Sequence, residues 1–243
     1  MAHATTHRRS IAGGSWLLWA YLPITFVIIV TVFVGFWRSY FGPLLRTGAV
    51  DRPWVVHVHG AVYVGWLALL FAQVWFARAG RLRLHRQIGR VGIVYGALVW
   101  VMGMIVAFTA PIRHIHSGEW TLDFGAGLLI RTLGSMMLFA GFFIAAIVNR
   151  QRPEIHKRLI LAATVSLSFA AIGRITEEHG WFLLIWLSPM LVMMAVEMYT
   201  QRRVHGVTVI STVILLVAYT RVLLQNTEVW LPIGRAMLRP LLF

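Results

Sequence analysis

The stretch LHRQIGRVGIVYGALVWVMGMIVAFTA, residues 84–110, decides the fold. From Ile88 to Ala110 it carries a single charge, Arg90, near its start. A bilayer-spanning helix needs about 20 largely apolar residues, and this run meets that length. Six further runs qualify, at 16–37, 54–77, 125–148, 159–176, 181–200 and 207–224. Only helices and closed barrels satisfy every backbone polar group in hydrocarbon, and runs of this length without alternation read as helices. The sequence therefore predicts an all-α, seven-transmembrane-helix bundle, one integral membrane domain over residues 1–243. Trp16, Trp19, Trp37, Trp54, Trp75, Trp120, Trp181 and Trp230 fall at or near the ends of the runs, where interfacial anchors belong. The first run is too long for a cleavable signal and no small-x-small site follows it, so it is expected to stay as a span.

Composition agrees and excludes several classes. Mean hydropathy is +0.75, with 59% hydrophobic and 12% charged residues, outside the range of an ordinary soluble domain. There is no cysteine, which removes disulfides, thiolate metal sites and iron–sulfur clusters. The net charge of +14 would suit nucleic acid, but the cations sit in short connections between apolar runs, so no nucleic-acid partner is expected. Lys157 is the single lysine and stands at a helix entrance, so a mid-membrane retinal Schiff base is excluded.

The basic residues orient the bundle. Arg8, Arg9, Arg78, Arg81, Arg83, Arg86, Arg150, Arg152, Lys157, Arg158, Arg202 and Arg203 fall on one side. Arg38, Arg46, Arg52, Arg113, Arg235 and Arg239 fall on the other. Positive charge prefers the cytoplasm, so the N-terminus is expected inside, the C-terminus outside, and the location is a bacterial inner membrane. Short interfacial helices are expected within the outer connections 38–53 and 111–124.

Two glycine strips follow. Gly89, Gly96 and Gly103 are spaced by seven, joined by Gly92; Gly127, Gly134 and Gly141 repeat the spacing in the next run. Seven residues are nearly two turns, so each set lies on one face. The plain expectation is close packing of these two neighbours against each other, since small residues let backbones approach in lipid. The sharper one is room for a flat cofactor.

The chemistry-bearing residues divide by depth. His85 and His156 open two helices that run the same way, each followed by a cation, so their depths match. Two imidazoles from different helices are the usual axial pair of haem b where thiolate is absent. Arg86, Arg90, Lys157 and Arg158 would then neutralise the propionates. The alternative is that these His-cation steps grip phosphate headgroups. At the other end, His59 shares a stripe with Tyr63, Trp66 and Gln73, while His57 falls on the lipid-facing side. His156, Ala163, Leu167, Ala170 and Arg174 share a sector, His156 and Arg174 being five whole turns apart on one line. With Arg131 and Arg174, His59 and Tyr63 would line an outer pocket for a quinone-sized molecule or an anion. His114, His116, Glu119, Asp123, Glu177, Glu178 and His179 form a polar rim, an outer metal site being the alternative. Met190, Met193, Met194 and Met198 read as adaptable packing; Glu197 would pair with Arg202 or carry protons.

At His59-Gly60, Leu84-His85-Arg86-Gln87-Ile88-Gly89-Arg90 and His156-Lys157-Arg158 with Arg174, the chain resembles a family of bacterial multi-pass membrane proteins described as a domain of unknown function. The resemblance covers about 55–175. A looser, architectural likeness is to b-type cytochromes and ferric-reductase-like membrane domains, which would imply haem by analogy. His59 lacks the intramembrane histidine partner that a second haem in such cytochromes would need.

Three readings follow. The first is a b-type cytochrome-like protein with haem on His85 and His156, exchanging electrons with quinone near His59 and Arg174. The second is a non-redox membrane protein, an assembly factor or a handler of lipids or small molecules. The third is an outer metal site using His59 with His114, His116 or His179.

Overall fold

A computed structural model describes residues 2–177 and 180–242, with side chains from Trp19 onward. The side chains of Arg8, Arg9 and Trp16, and the residues Glu178 and His179, lie outside the described residues. The described chain is all-helical: α1 Ala2–Phe36, a π-helical turn Trp37–Phe41, α2 Gly42–Thr47, α3 Trp54–Arg78, α4 Leu82–His116, α5 Leu122–Val148, α6 Pro153–Leu167, α7 Phe169–Thr176, α8 Phe182–Gln201, α9 Gly206–Tyr219, α10 Arg221–Leu224 and α11 Leu231–Leu238. Six stretches are long and apolar enough to cross a bilayer, and α6 with α7, bent by 46°, supplies a seventh. The protein is a multi-pass membrane bundle. Trp19, Trp37, Trp54, Trp75 and Trp181 all keep their rings exposed, as anchors at span ends should.

The helices form a circuit in which α1 packs on α3, α3 on α4, α4 on α5 and α5 on α6, and α7 and α8 return to α1. α9 lies outside this circuit against α6 and α8, and α11 lies against α5. Two departures from expectation matter. The outer connection 111–124 holds no separate helix: its first six residues belong to α4, which continues as one helix to His116, and α5 begins at Leu122. The other outer connection does contain the expected short helix, α2. After residue 224, where no element is expected, the chain folds back as α11. Gly234 packs on Ala126, Trp230 Nε1 donates to Ala126 O at 2.7 Å, and Arg235 meets Asp123 with two bonds of 2.5 and 2.7 Å. That ion pair holds the Arg235 guanidinium above its usual pKa.

The bend between α6 and α7 has a local cause. The Val165 carbonyl accepts the Trp186 indole N–H at 2.8 Å, the Ser168 hydroxyl at 2.8 Å and the Ser168 N–H at 3.1 Å. Ser166 also bonds back, to Ala163 O at 2.7 Å. Donors inserted into the ladder displace the i→i−4 bonds and kink a helix. His156 and Arg174 therefore do not stand on one straight line as expected; the kink lies between them.

A buried charge cluster ties the ends of α6, α8 and α9 together. Arg158 and Glu197 are both fully buried and bonded Nε to Oε1 at 2.6 Å. Glu197 Oε1 also accepts from Thr208 Oγ1 at 2.9 Å, and its Oε2 accepts the His205 N–H at 2.9 Å. Arg158 Nη1 reaches Glu154, whose carboxylate also takes Lys157 at 2.7 Å. Glu197 thus pairs with Arg158, not with Arg202. His205 in turn caps α9, its Nδ1 accepting from Val207 N at 3.1 Å. An accepting Nδ1 must be unprotonated, and burial, with the Arg158 charge beside it, pushes that imidazole below its usual pKa.

Removing one member of a buried pair leaves the other charge uncompensated, which costs about 3–5 kcal/mol. Arg158→Met and Glu197→Met are each expected to lower the thermal unfolding midpoint in detergent strongly, and the double variant to recover most of the loss. A double variant no better than the worse single one would refute the pairing.

Candidate functional site

His85 and His156 occupy equivalent places. Each is the fourth residue of its helix, α4 and α6. Each turns Nδ1 back onto the helix that precedes it: His85 to Gln73 O on α3 at 3.2 Å, His156 to Ala146 O on α5 at 2.9 Å. A carbonyl only accepts, so in both rings Nδ1 carries the proton and Nε2 keeps its lone pair. Neither Nε2 has a hydrogen-bond partner among the described residues. The helices carrying them do not pack along each other but stand on either side of α5. Even so, the rings are near enough for the charge of one to act on the other. The buried amide nitrogen of Gln73, beside His85, is also without a partner.

The four cations expected beside this pair separate into two groups. Arg158 is fully buried on Glu197, and Lys157 is engaged by Glu154. Arg86 and Arg90, both on α4, are exposed and carry no ion pair among the described residues.

The glycine strips do not face each other as expected. On α4, a Cβ at Gly96 would stand 2.2 Å from the Phe143 ring of α5, and one at Gly103 would stand 2.1 Å from Met136 Sδ and 2.4 Å from the Tyr63 hydroxyl. That strip is filled by side chains and offers no flat void at these two turns. On α5, Gly134 clears Arg221 and Gly127 clears residues 225 and 226, so its strip faces the C-terminal segment. Gly141 meets nothing within 4 Å. Rotation of α5 was free in the sequence, because both of its faces are apolar; contact with α10 and α11 settles it. Gly96→Ala is expected to destabilise by ~1–3 kcal/mol through overpacking, with Phe143→Leu restoring much of it. Gly141→Ala should be neutral or slightly stabilising, since a helical glycine costs up to about 1 kcal/mol relative to alanine. Equal thermal shifts for the two glycine variants would contradict this packing.

At the opposite end, the His59 ring lies 4.1 Å from that of Tyr63, and its Nδ1 is buried without a partner among the described residues. The Arg174 charge acts on it, so His59, Tyr63 and Arg174 are brought together as expected. Arg174 also lies over the Phe36 ring at 4.5 Å and donates to Ala170 O at 2.9 Å. Arg131 is not in this group. It is buried, with its guanidinium 5.4 Å from the Phe169 ring, and its neighbour is Arg221. His57, placed on the lipid side by helical phase, is instead covered by the turn after α1, Tyr40 Oη lying 2.8 Å from its Nδ1.

The rim histidines do not converge. His114 is stacked on Trp120 at 4.2 Å and bonded to Glu119 at 2.7 Å and Arg113 at 2.8 Å. Hydrogen bonds from His114 and Ser117 hold the Glu119 carboxyl below its usual pKa. His116 turns away to Leu242 O at 3.1 Å. Among the described residues no three His, Asp or Glu side chains are grouped as metal ligands.

One residue escaped the sequence reading. Arg221 lies inside the last apolar run and is 7% exposed. The signal was present as a cation three residues before the end of an otherwise uncharged run. No family model, curated protein or solved structure matches the chain, so function rests on these sites alone.

Proposed function

We propose that the protein is a b-type cytochrome-like membrane protein that holds haem between His85 and His156. The observation that carries the reading is the paired Nδ1–H bond to a backbone carbonyl of the preceding helix. Metal-binding histidines almost always donate their other nitrogen in this way, which fixes the tautomer and aims Nε2 at the metal. The matching place of the two rings, each the fourth residue of a helix packed on α5, is the second support. Haem so bound would supply one-electron redox chemistry, its potential set by axial ligands, hydrogen bonding and burial. What this chain's residues do is bind and orient: the carbonyls of Gln73 and Ala146 fix the rings. Arg86 and Arg90 are the cations left to receive propionates, because Arg158 and Lys157 are engaged elsewhere.

The surplus of cations on this face makes it the cytoplasmic one, in a bacterial inner membrane. At the far end, His59, Tyr63 and Arg174 form the place for a quinone, with the unpartnered His59 Nδ1 as the hydrogen-bonding group. The headgroup reading of the His-cation steps has less support. It needs the cations of both steps at the surface, and Lys157, the cation of the second, is only 15% exposed and bonded to Glu154.

Protein expressed with ample haem and purified in detergent is expected to show a Soret band and the split α/β bands of a low-spin bis-histidine haem. His85→Ala and His156→Ala should each abolish the low-spin spectrum, while His114→Ala leaves it unchanged. Colourless wild-type protein would end the proposal.

A further inference from the structure

A groove of about 640 Å³ runs along the outside of the bundle between α5, α6 and α9. Its floor is the part of the α5 strip from Gly134 to Gly141, and its walls include Leu159, Val207, Ile214 and Arg221. The lining is apolar apart from Ser211 and, at one end, Thr220 and Arg221. We infer that this groove binds one single-chain lipid with a carboxylate head, the carboxylate on Arg221 and the chain laid along the glycine floor.

The charged residue lining the groove is Arg221. Its Nη1 donates to Ala218 O at 2.6 Å and its Nη2 to Ser135 Oγ at 3.1 Å, but its Nε is buried without a partner. The Nε lies directly over Gly134, where a Cβ would come within 2.7 Å of it. No ion pair among the described residues involves Arg221. The Phe169 and Trp186 rings lie 4.5 and 5.6 Å from it. Arginine does not shed its proton in a protein. A buried guanidinium with no acid paired to it among the described residues therefore calls for an anion, as ionisable groups within a membrane generally mark a ligand or a pathway.

Depth and shape choose among anions. Gly134 is twelve residues into α5, about 18 Å from its end at 1.5 Å per residue, and thus close to the middle of that helix. A two-chain phospholipid keeps its headgroup at the interface and does not bring it to this depth. A single chain with a compact anionic head reaches it. The groove also continues past the arginine for the eleven residues from Gly134 to Ala145, about 16 Å, over Gly141. A neutral quinone would fill the apolar part and leave the arginine unmatched.

The test uses delipidated full-length protein in detergent, with radiolabelled palmitate, its methyl ester and phosphatidylglycerol as probes. Expected are one palmitate per chain, at least about tenfold weaker retention of the methyl ester, and a similar loss for Arg221→Gln and for Gly141→Phe. The phenylalanine enters the groove from a position where nothing lies within 4 Å, so this variant should keep the wild-type unfolding midpoint. If Arg221→Gln fails to fold, the ester and Gly141→Phe decide. Equal retention of palmitate and its ester, undiminished palmitate binding by Gly141→Phe, or displacement of palmitate by equimolar phosphatidylglycerol would each overturn the inference. The groove shares no side chain with the His85–His156 pair, so absence of haem leaves this result standing.

Discussion

The rest of the structure depends on a charge that the membrane environment forces into partnership. Arg158 sits one turn inside α6 with no exposure, and an isolated guanidinium there would be strongly unfavourable. Glu197 answers it from α8, and Thr208 and the His205 backbone complete the cluster from α9. Because the pair needs fixed geometry, it sets the rotation of the first turn of α6. Two residues earlier is 200° round the helix, so with Arg158 turned to α8 and α9, His156 must face the other way. There it meets Ala146 O and comes near His85. The placement of the candidate ligand thus follows from an ion pair in which it takes no part.

Arg158 and Arg221 show two fates of the same side chain. The first is answered within the chain by two carboxylates, and its role is to hold helices together. The second is held by a carbonyl and a hydroxyl beside two aromatic rings, with no ion pair among the described residues. Desolvation is costly for both, but only the first is offset by the protein itself. The two buried arginines therefore differ in kind: carboxylates of the chain answer the first, and none among the described residues answers the second.

Much of the architecture was legible because lipid imposes simple rules. Apolar length located every span, and the exposed tryptophans fell where run ends placed them. The matched position of His85 and His156 was readable too, since both follow a short basic connection. Helical phase was read less well. It placed His57 on the lipid side without knowing that Tyr40 would fold over it, and it set His156 and Arg174 on one line without knowing that Trp186 would take the Val165 carbonyl. It grouped Arg131 with His59, while the structure turns it towards Phe169 and Arg221. In each case the deciding partner comes from another helix, and phase within one helix carries no information about it.

The sequence by itself determined that the chain is a helical membrane bundle, where the cations cluster along it, and which two histidines open helices at matching places. These properties follow from the local count of apolar and charged residues against a solvent that punishes unpaired backbone and charge. Tertiary structure alone decided which glycine strip is filled and which lies open, that Glu197 takes Arg158, that residues 231–238 return to cover α5, and that Arg221 stands uncompensated beside a groove. The reason is physical: in an apolar bundle nearly every helix face is equally hydrophobic, so the pattern does not encode rotation or partner. Only the few polar contacts and the fit of large side chains into glycine gaps select one arrangement.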